Sequence, residues 1–73
     1  MTKFEATDLI KLKTISGFKL YLIYEKVQNT YNVLLRNNVE EKIYVFDNLI
    51  IAVTIFDFLK MQSSYVLAVM IQE

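Results

Sequence analysis

The chain has 73 residues, enough for one domain over residues 1–73 whose core is marginal, because a domain this small buries only about 60% of the surface that its unfolded chain exposes. Cysteine and histidine are both absent, which excludes disulfides and the ordinary zinc sites that reinforce many small folds. The eight basic and eight acidic side chains cancel, so no long-range field attracts nucleic acid, anionic lipid or an acidic substrate.

The first predicted element is a strand over residues 9–15. Ile10 and Leu12 alternate there with Lys11 and Lys13. This is the period of a half-buried strand, in which successive side chains point to opposite faces of the sheet. The pattern predicts that the two apolar side chains face the core and that the two lysines face water.

A helix is the competing interpretation of this amino-terminal segment. Thr2 and Glu5 have the spacing of a capping box, in which each side chain binds the backbone N–H of the other residue. Phe4, Leu9 and Leu12 would then share a loose helical face. We favour the strand, because lysine alternates strictly with apolar residues.

A turn at Ser16 and Gly17 leads into a second predicted strand over residues 18–27. Gly17 is the only glycine in the chain and stands between two alternating runs, which indicates a turn. One face of the strand carries Phe18, Leu20, Leu22 and Tyr24, and the other carries Lys19, Tyr21, Ile23, Glu25 and Val27. Because the second face is half apolar, we expect both sides of this strand to be covered.

Two more strands follow in the same manner. Residues 28–30 predict a turn, because Asn29 tolerates the left-handed backbone conformation and its side chain can bind the local backbone. A third strand over residues 31–36 then forms a hairpin with the second. Residues 37–41 are a polar connection, and residues 42–46 are predicted to form a short fourth strand.

A helix is predicted over residues 49–59, with Asp47 or Asn48 as its N-cap. The predicted core face has helical spacing and comprises Leu49, Ala52, Val53, Phe56 and Leu59. The polar stripe comprises Thr54, Asp57 and Lys60, which leaves Ile50, Ile51, Ile55 and Phe58 outside the face that meets the sheet. The alternative is a hairpin turn at Asp47 and Asn48 between residues 44–46 and the β-branched residues 50–53.

The last predicted element is a strand over Tyr65 to Ile71. Residues 62–64 end the helix, and the run after them is almost unbroken in its apolar character, which is typical of a central strand. The predicted fold class is therefore α+β: a small antiparallel sheet in the order β-β-β-β-α-β with one helix packed on a face.

The residues that most enzymes use are missing from this sequence. Without histidine or cysteine, the common general base and the best nucleophile are absent. Glu40, Glu41 and Asp47 are the nearest approach to a carboxylate cluster, and their spacing matches no calcium loop. A lone Gly17 cannot form a glycine-rich phosphate loop. We predict no catalytic activity, no cofactor and no bound metal.

No segment has the pattern of a membrane span or a leader. The apolar run from Leu49 to Phe56, with Thr54 included, is far shorter than the roughly 20 residues that cross a bilayer. The first residues lack a basic segment followed by an apolar one. We therefore expect a cytoplasmic protein without a membrane partner.

Apolar residues are in excess, at 55% of the chain with five tyrosines and five phenylalanines. An interior this small cannot hide them all, and large exposed apolar patches mark association sites. We predict a homo-oligomer that also binds another protein, with Tyr21, Ile23, Tyr44, Ile51, Ile55 and Phe58 as the interface candidates. These side chains are expected to point away from the core of their own elements. The alternative is a monomer with many half-buried aromatic side chains.

The predicted function is that of a small, non-enzymatic and homodimeric interaction module, which binds another protein and modulates or inhibits it. Lysine outnumbers arginine by seven to one, and isoleucine, asparagine and tyrosine are abundant, as in AT-rich genomes; this fits a low-GC bacterium, or a phage or mobile element within one. The alternative is a β-sheet that binds single-stranded nucleic acid, with Tyr21, Tyr31, Tyr44 and Tyr65 as stacking platforms near Lys11, Lys13 and Lys19. One arginine and zero net charge argue against it.

Overall fold

The computed structural model describes residues 7–73 and shows four strands followed by two helices. They are β1 (Thr7–Ile15), β2 (Phe18–Glu25), β3 (Thr30–Arg36), β4 (Glu41–Phe46), α1 (Leu49–Lys60) and α2 (Ser64–Ile71). The strands form one antiparallel sheet in the order β1-β2-β3-β4. Helix α1 packs on β2, β3 and β4, so the predicted α+β class, with an antiparallel sheet and a helix on one face, is confirmed.

The amino-terminal alternative is decided only in part. Residues 7–15 form a strand, as predicted for this segment. The capping box that Thr2 and Glu5 would form, and Phe4 with it, lies outside the described residues.

Two hairpin turns fix the register of the sheet. Gly17 has a φ of 87° in the first turn, and Asn29 has a φ of 57° in the second. Both values lie in the left-handed region, which glycine and asparagine tolerate better than other residues. The Glu25 carboxylate accepts hydrogen bonds from the backbone N–H groups of Val27 at 3.2 Å and Gln28 at 3.0 Å. These two predicted turns are confirmed, and β2 ends at Glu25 because that side chain binds the turn.

The core lies between one face of the sheet and the two helices. Its fully buried sheet residues are Leu20, Leu22, Val33 and Leu35. The helices add Ala52, Phe56 and Leu59 from α1, and Leu67 and Ile71 from α2. Burial therefore alternates along β2 and β3 with the period of two that the sequence predicts.

Strand β1 has the orientation opposite to the one predicted. Lys11 and Lys13 pair with the buried Leu22 and Leu20 and so lie on the helix-covered side, whereas Leu12 pairs with Tyr21 on the other side and is 52% exposed. The register shifts between Leu9 and Lys11, which is a β-bulge. The prediction was wrong because β1 is an edge strand, where a lysine stem can cover the side of the core.

Helix α1 is confirmed over the predicted segment, and the hairpin alternative at residues 47–48 is wrong. The Asn48 Oδ1 accepts a hydrogen bond from the Ile51 backbone N–H at 3.1 Å, which makes Asn48 the N-cap. Three of the predicted core residues, Ala52, Phe56 and Leu59, are buried. Leu49 is an exception at 41% exposed, because it lies in the first turn of the helix.

The last element was predicted wrongly: residues 65–71 form the helix α2 rather than a strand. Ser63 is its N-cap and accepts a hydrogen bond from the Val66 backbone N–H at 3.3 Å. Only Leu67 and Ile71, four residues apart, are buried. A short apolar run does not distinguish a buried strand from a helix, and the serine N-cap decides in favour of the helix here.

Candidate association surfaces

One face of the sheet is covered by neither α1 nor α2, and within residues 7–73 it carries two rows of mostly apolar side chains. The Tyr21 row crosses all four strands through the paired residues Leu12, Tyr21, Leu34 and Ile43. The Ile23 row runs beside it through Leu9, Ile23, Asn32 and Val45. Paired residues of an antiparallel sheet lie side by side on the same face, so seven apolar side chains form one continuous patch.

Exposure is greatest at the edges of this patch. Leu9, Leu12, Ile43 and Val45 are each more than half exposed, and the residues of β2 and β3 between them are half-buried. Asn32 is the one polar member of the two rows, and its Oδ1 accepts a hydrogen bond from the Thr30 hydroxyl at 3.4 Å. An open antiparallel sheet face is usually polar, since it meets water. This one is not.

Polar rows border the patch at both ends. The basic row comprises Thr14, Lys19, Arg36 and Glu41, and the acidic row comprises Thr7, Glu25 and Thr30. Lys19 and Glu25 are both on β2, so the apolar rows lie between a cationic end and an anionic end. An apolar centre with a polar rim is the usual anatomy of a protein–protein interface.

A second apolar surface lies on the outer side of α1. It comprises Ile50, Ile51, Phe58 and Met61, which are 50% to 80% exposed, and we call it the helix surface. Their spacing places them on one side of the helix, opposite the buried Ala52 and Leu59. It is on the opposite side of the molecule from the open sheet face, because α1 packs on the other face of the sheet.

The six interface candidates divide among three environments. Tyr21 and Ile23 lie on the open sheet face, and Ile51 and Phe58 lie on the helix surface. Tyr44 and Ile55 are half-buried and pack against the core, so the premise that they point away from it is wrong. Tyr44 pairs with Val33 and therefore lies on the helix-covered face.

The chemical environment of Tyr44 is that of a structural residue. Burial raises the pKa of its phenol, and the nearby negative charge of Glu73 raises this pKa further. Lys42 Nζ lies 5.6 Å from the centroid of the Tyr44 ring and donates a hydrogen bond to the Met70 carbonyl at 3.3 Å. These contacts tie β4 to α2 and leave little of Tyr44 for a partner.

A cluster of three charged side chains joins β1 to α1. Asp57 Oδ1 lies 3.0 Å from Lys60 Nζ and 3.6 Å from Lys11 Nζ. The hydrogen bond from Lys60 and the charges of both lysines hold the pKa of the Asp57 carboxyl below its ordinary value, against the opposing effect of desolvation. Lys11 Nζ is also 5.8 Å from the centroid of the Phe56 ring. The polar stripe predicted for α1 therefore meets β1 as well as water.

Several residues of the open face escaped the sequence analysis. Leu34, Ile43 and Val45 were not singled out, and Leu12 was expected to be buried. The signal was present in β4, where Ile43 and Val45 alternate with Lys42, Tyr44 and Phe46. Both alternating sets there are largely apolar, so the alternation alone did not say which set faces the helices.

The described residues show neither a metal site nor a membrane-spanning helix. Within residues 7–73, no group of three or more acidic, histidine or cysteine side chains is placed to hold a metal ion. Among the helices described, none is long and apolar enough to cross a membrane. Comparison of the chain with protein-family models, with curated proteins and with solved structures found no match.

Proposed function

We propose that this chain is a non-enzymatic protein-interaction module that associates with itself and binds a second protein. The observation that carries the proposal is the open sheet face, where seven apolar side chains form a patch across all four strands with a polar row at each end. A monomer has no folding reason to keep such a patch, since the core is complete on the other face of the sheet.

The helix surface supports the second half of the proposal. Phe58 is the aromatic member of this surface and is 55% exposed, and interface energy concentrates in a few apolar or aromatic anchors of this kind. Two separate apolar surfaces give the chain room for two associations. A modulating or inhibitory role, a cytoplasmic location and an origin in a phage or mobile element complete the proposal, the last on the strength of the AT-rich amino-acid usage.

The nucleic-acid alternative has less support. It needs several tyrosines on one open face, but only Tyr21 lies on the open sheet face. Tyr31 and Tyr44 pack against the core on the helix-covered face, and Tyr65 lies on α2. Lys11 is engaged with Asp57 on that same helix-covered side. Lys19 and Arg36 are the basic residues left beside Tyr21, fewer than a phosphate-binding face normally has.

Two measurements test the proposal. Sedimentation velocity between about 1 and 100 µM should show a species heavier than the monomer whose share increases with concentration. The reason is that dimers with small interfaces have dissociation constants within this range. Titration with labelled single-stranded RNA and duplex DNA should show nothing tighter than about 10⁻⁴ to 10⁻⁶ M at physiological salt. A strict monomer that binds nucleic acid tightly, and loses that binding when Tyr21 is replaced, would establish the alternative.

A further inference from the structure

We infer that the open sheet face pairs with the same face of a second copy of this chain, about a twofold axis that lies between the two sheets and runs perpendicular to the strands. This inference rests on the proposed function and specifies the surface and the geometry of the self-association. It follows from the order of the rows along the strands.

The charges of the face are complementary to themselves. Lys19 and Arg36 are directly paired neighbours in the basic row, and like charges opposite each other in a sheet repel. Arg36 has Glu41 as its other neighbour, but Lys19 has Thr14 and makes no ion pair among residues 7–73. An acidic group above Lys19 would relieve this repulsion, and the face has one at its opposite end, in Glu25.

Two ways of stacking the faces about a twofold axis keep the strands of the two sheets aligned, and the charges distinguish them. An axis parallel to the strands places β2 of one copy over β3 of the other, which brings Lys19 above the partner's Arg36. An axis perpendicular to the strands keeps β2 over β2 and reverses its direction. It then brings Lys19 above Glu25 of the second copy, and Tyr21 above Ile23, because the midpoint of β2 between residues 19 and 25 is Leu22.

The same geometry superimposes the apolar rows. The Tyr21 row of one copy covers the Ile23 row of the other, and each polar row covers the opposite polar row. Two antiparallel sheets packed in this way lie about 10 Å apart, with their strands about 30° from alignment. The angle of about 30° between the two sheets displaces the charged ends of the strands by a few ångströms. Glu25 of one copy therefore lies near both Lys19 and Arg36 of the other rather than directly above Lys19 alone. We take a second copy as the occupant because the face is complementary to itself. Any other partner would need its own surface with the same matching order of charges.

The small size of the face limits the strength of the dimer. Four strands about 4.8 Å apart, and rows that extend about 20 Å along them, give a projected area of about 400 Å². The accessible area of a side-chain surface is larger than its projection, yet it stays below the roughly 800 Å² per partner of a standard interface. We therefore expect a dissociation constant in the micromolar range.

The test compares three variants by sedimentation equilibrium, with circular dichroism to confirm that each is folded. Ile43→Asp places a charge in the Tyr21 row at a side chain that is 54% exposed, and should give a monomer at every concentration. Phe58→Asp is the matched control on the helix surface and should leave the dimer unchanged. If Phe58→Asp dissociates the dimer and Ile43→Asp does not, the inference is overturned and the proposed function stands. A parent chain that is monomeric throughout overturns both.

Lys19→Glu decides the orientation. It replaces the repulsion with Arg36 by attraction, so the monomer should be at least as stable as the parent. The dimer should nevertheless weaken by about 4- to 25-fold, because the new carboxylate meets Glu25 at two symmetric positions, each worth a factor of about 2 to 5. Adding Glu25→Lys should restore part of the lost dimer affinity, and circular dichroism checks that the fold survives the loss of the two turn hydrogen bonds to Glu25. A tighter dimer for Lys19→Glu would show that the axis is parallel to the strands and overturn this geometry.

Discussion

Phe56 and Phe58 are two residues apart in α1 and have opposite environments. Phe56 is 2% exposed and Phe58 is 55% exposed. A separation of two residues turns a side chain by about 200° around a helix axis, so one ring points into the core and the other points away from the sheet. Identical side chains on one helix therefore separate the contribution of burial from that of residue type.

Replacing the two rings with alanine should have unequal effects. We expect Phe56→Ala to lower the free energy of unfolding by about 3 to 5 kcal/mol, because it leaves a cavity in the core. Phe58→Ala should change it by less than about 0.5 kcal/mol, as for other surface substitutions. Chemical denaturation followed by far-ultraviolet circular dichroism, at one protein concentration, measures both. Equal losses would contradict the assignment of Phe58 to the surface.

Asp57 should give the fold a dependence on acid pH. Its pKa is lowered in the folded state by Lys60 and Lys11, so its stabilising contribution is complete above the ordinary value of 3.8. The contribution disappears as the pH falls through the lowered pKa, because the protonated carboxyl no longer attracts the lysines. The difference in unfolding free energy between the parent and Asp57→Asn, measured by chemical denaturation, should therefore be largest above the ordinary value and shrink as the pH falls through the lowered pKa.

Salt provides the control for Asp57. The side chain is 42% exposed, so solvent and ions screen its attraction to the lysines and the contribution is small. In 1 M sodium chloride at neutral pH, the parent and Asp57→Asn should have nearly equal free energies of unfolding. A difference that persists at low pH and high salt would point to packing of the side chain as its origin.

At the scale of the elements, the two helix N-caps are the clearest local determinants. Asn48 begins α1 and Ser63 begins α2, and each accepts a hydrogen bond from the backbone N–H three residues on. The second cap decides between helix and strand for residues 65–71, since an N-cap hydrogen bond serves no purpose in a strand. Ser63 and Ser64 are adjacent and differ only in this role.

Ser63→Ala should therefore be more harmful than Ser64→Ala. Loss of the cap is expected to lower the free energy of unfolding by about 0.5 to 2 kcal/mol. Ser64 is the first residue of α2, where alanine is a good helix former, so its replacement should be neutral or slightly stabilising. Thermal or chemical unfolding of both variants provides the comparison. No difference between them would argue that residues 64–71 are not held as a helix by this cap.

The strands, their turns and α1 could be predicted from the sequence, because period-two alternation, Gly17, Asn29 and Asn48 are local signals. Two features could not. The direction in which β1 faces depends on which side of the sheet the helices cover, and the ion pair between Lys11 and Asp57 forms only once α1 lies on that side. The nature of α2 depends on Ser63, whose role as a cap shows only once the following residues are known to be helical.

Only part of the candidate site could be predicted from the sequence, again because the rest depends on the tertiary structure. Tyr21 and Ile23 were identified because Lys19 and Glu25 mark their face of β2 as the polar one. Leu34 and Ile43 were not, since β3 and β4 have apolar residues on both faces. Which of those sets is buried depends on the helices that pack against the sheet, and that is a property of the tertiary structure.

At the scale of the whole molecule, the part of the chain from Thr7 to Glu73 has one layer of helices that covers one face of the sheet and leaves the other face open. A domain of this size has a marginal core, and covering a second apolar face by association adds burial that the chain cannot supply alone. The self-association proposed for the open face would therefore contribute to the stability of the fold itself.

This coupling predicts that the melting temperature rises with protein concentration. Whatever binds the folded chain and not the unfolded chain stabilises it by mass action, so a dimer melts later at higher concentration. Scans of the parent between about 2 and 200 µM, around a micromolar dissociation constant, should show a rise of several degrees. Ile43→Asp should melt at the same temperature throughout. A parent melting temperature that does not change with protein concentration would contradict a dimer that stabilises the fold.

The position of the helix surface has a consequence for valency. It lies on the side of the molecule opposite the open sheet face, so two copies joined through their sheets would present their Phe58 side chains outward in opposite directions. Such a particle cannot place both helix surfaces on one small target. It would instead bridge two target molecules, or bind a target that is itself repeated, where the second contact forms at a high effective concentration. The expected stoichiometry is two chains to two target sites.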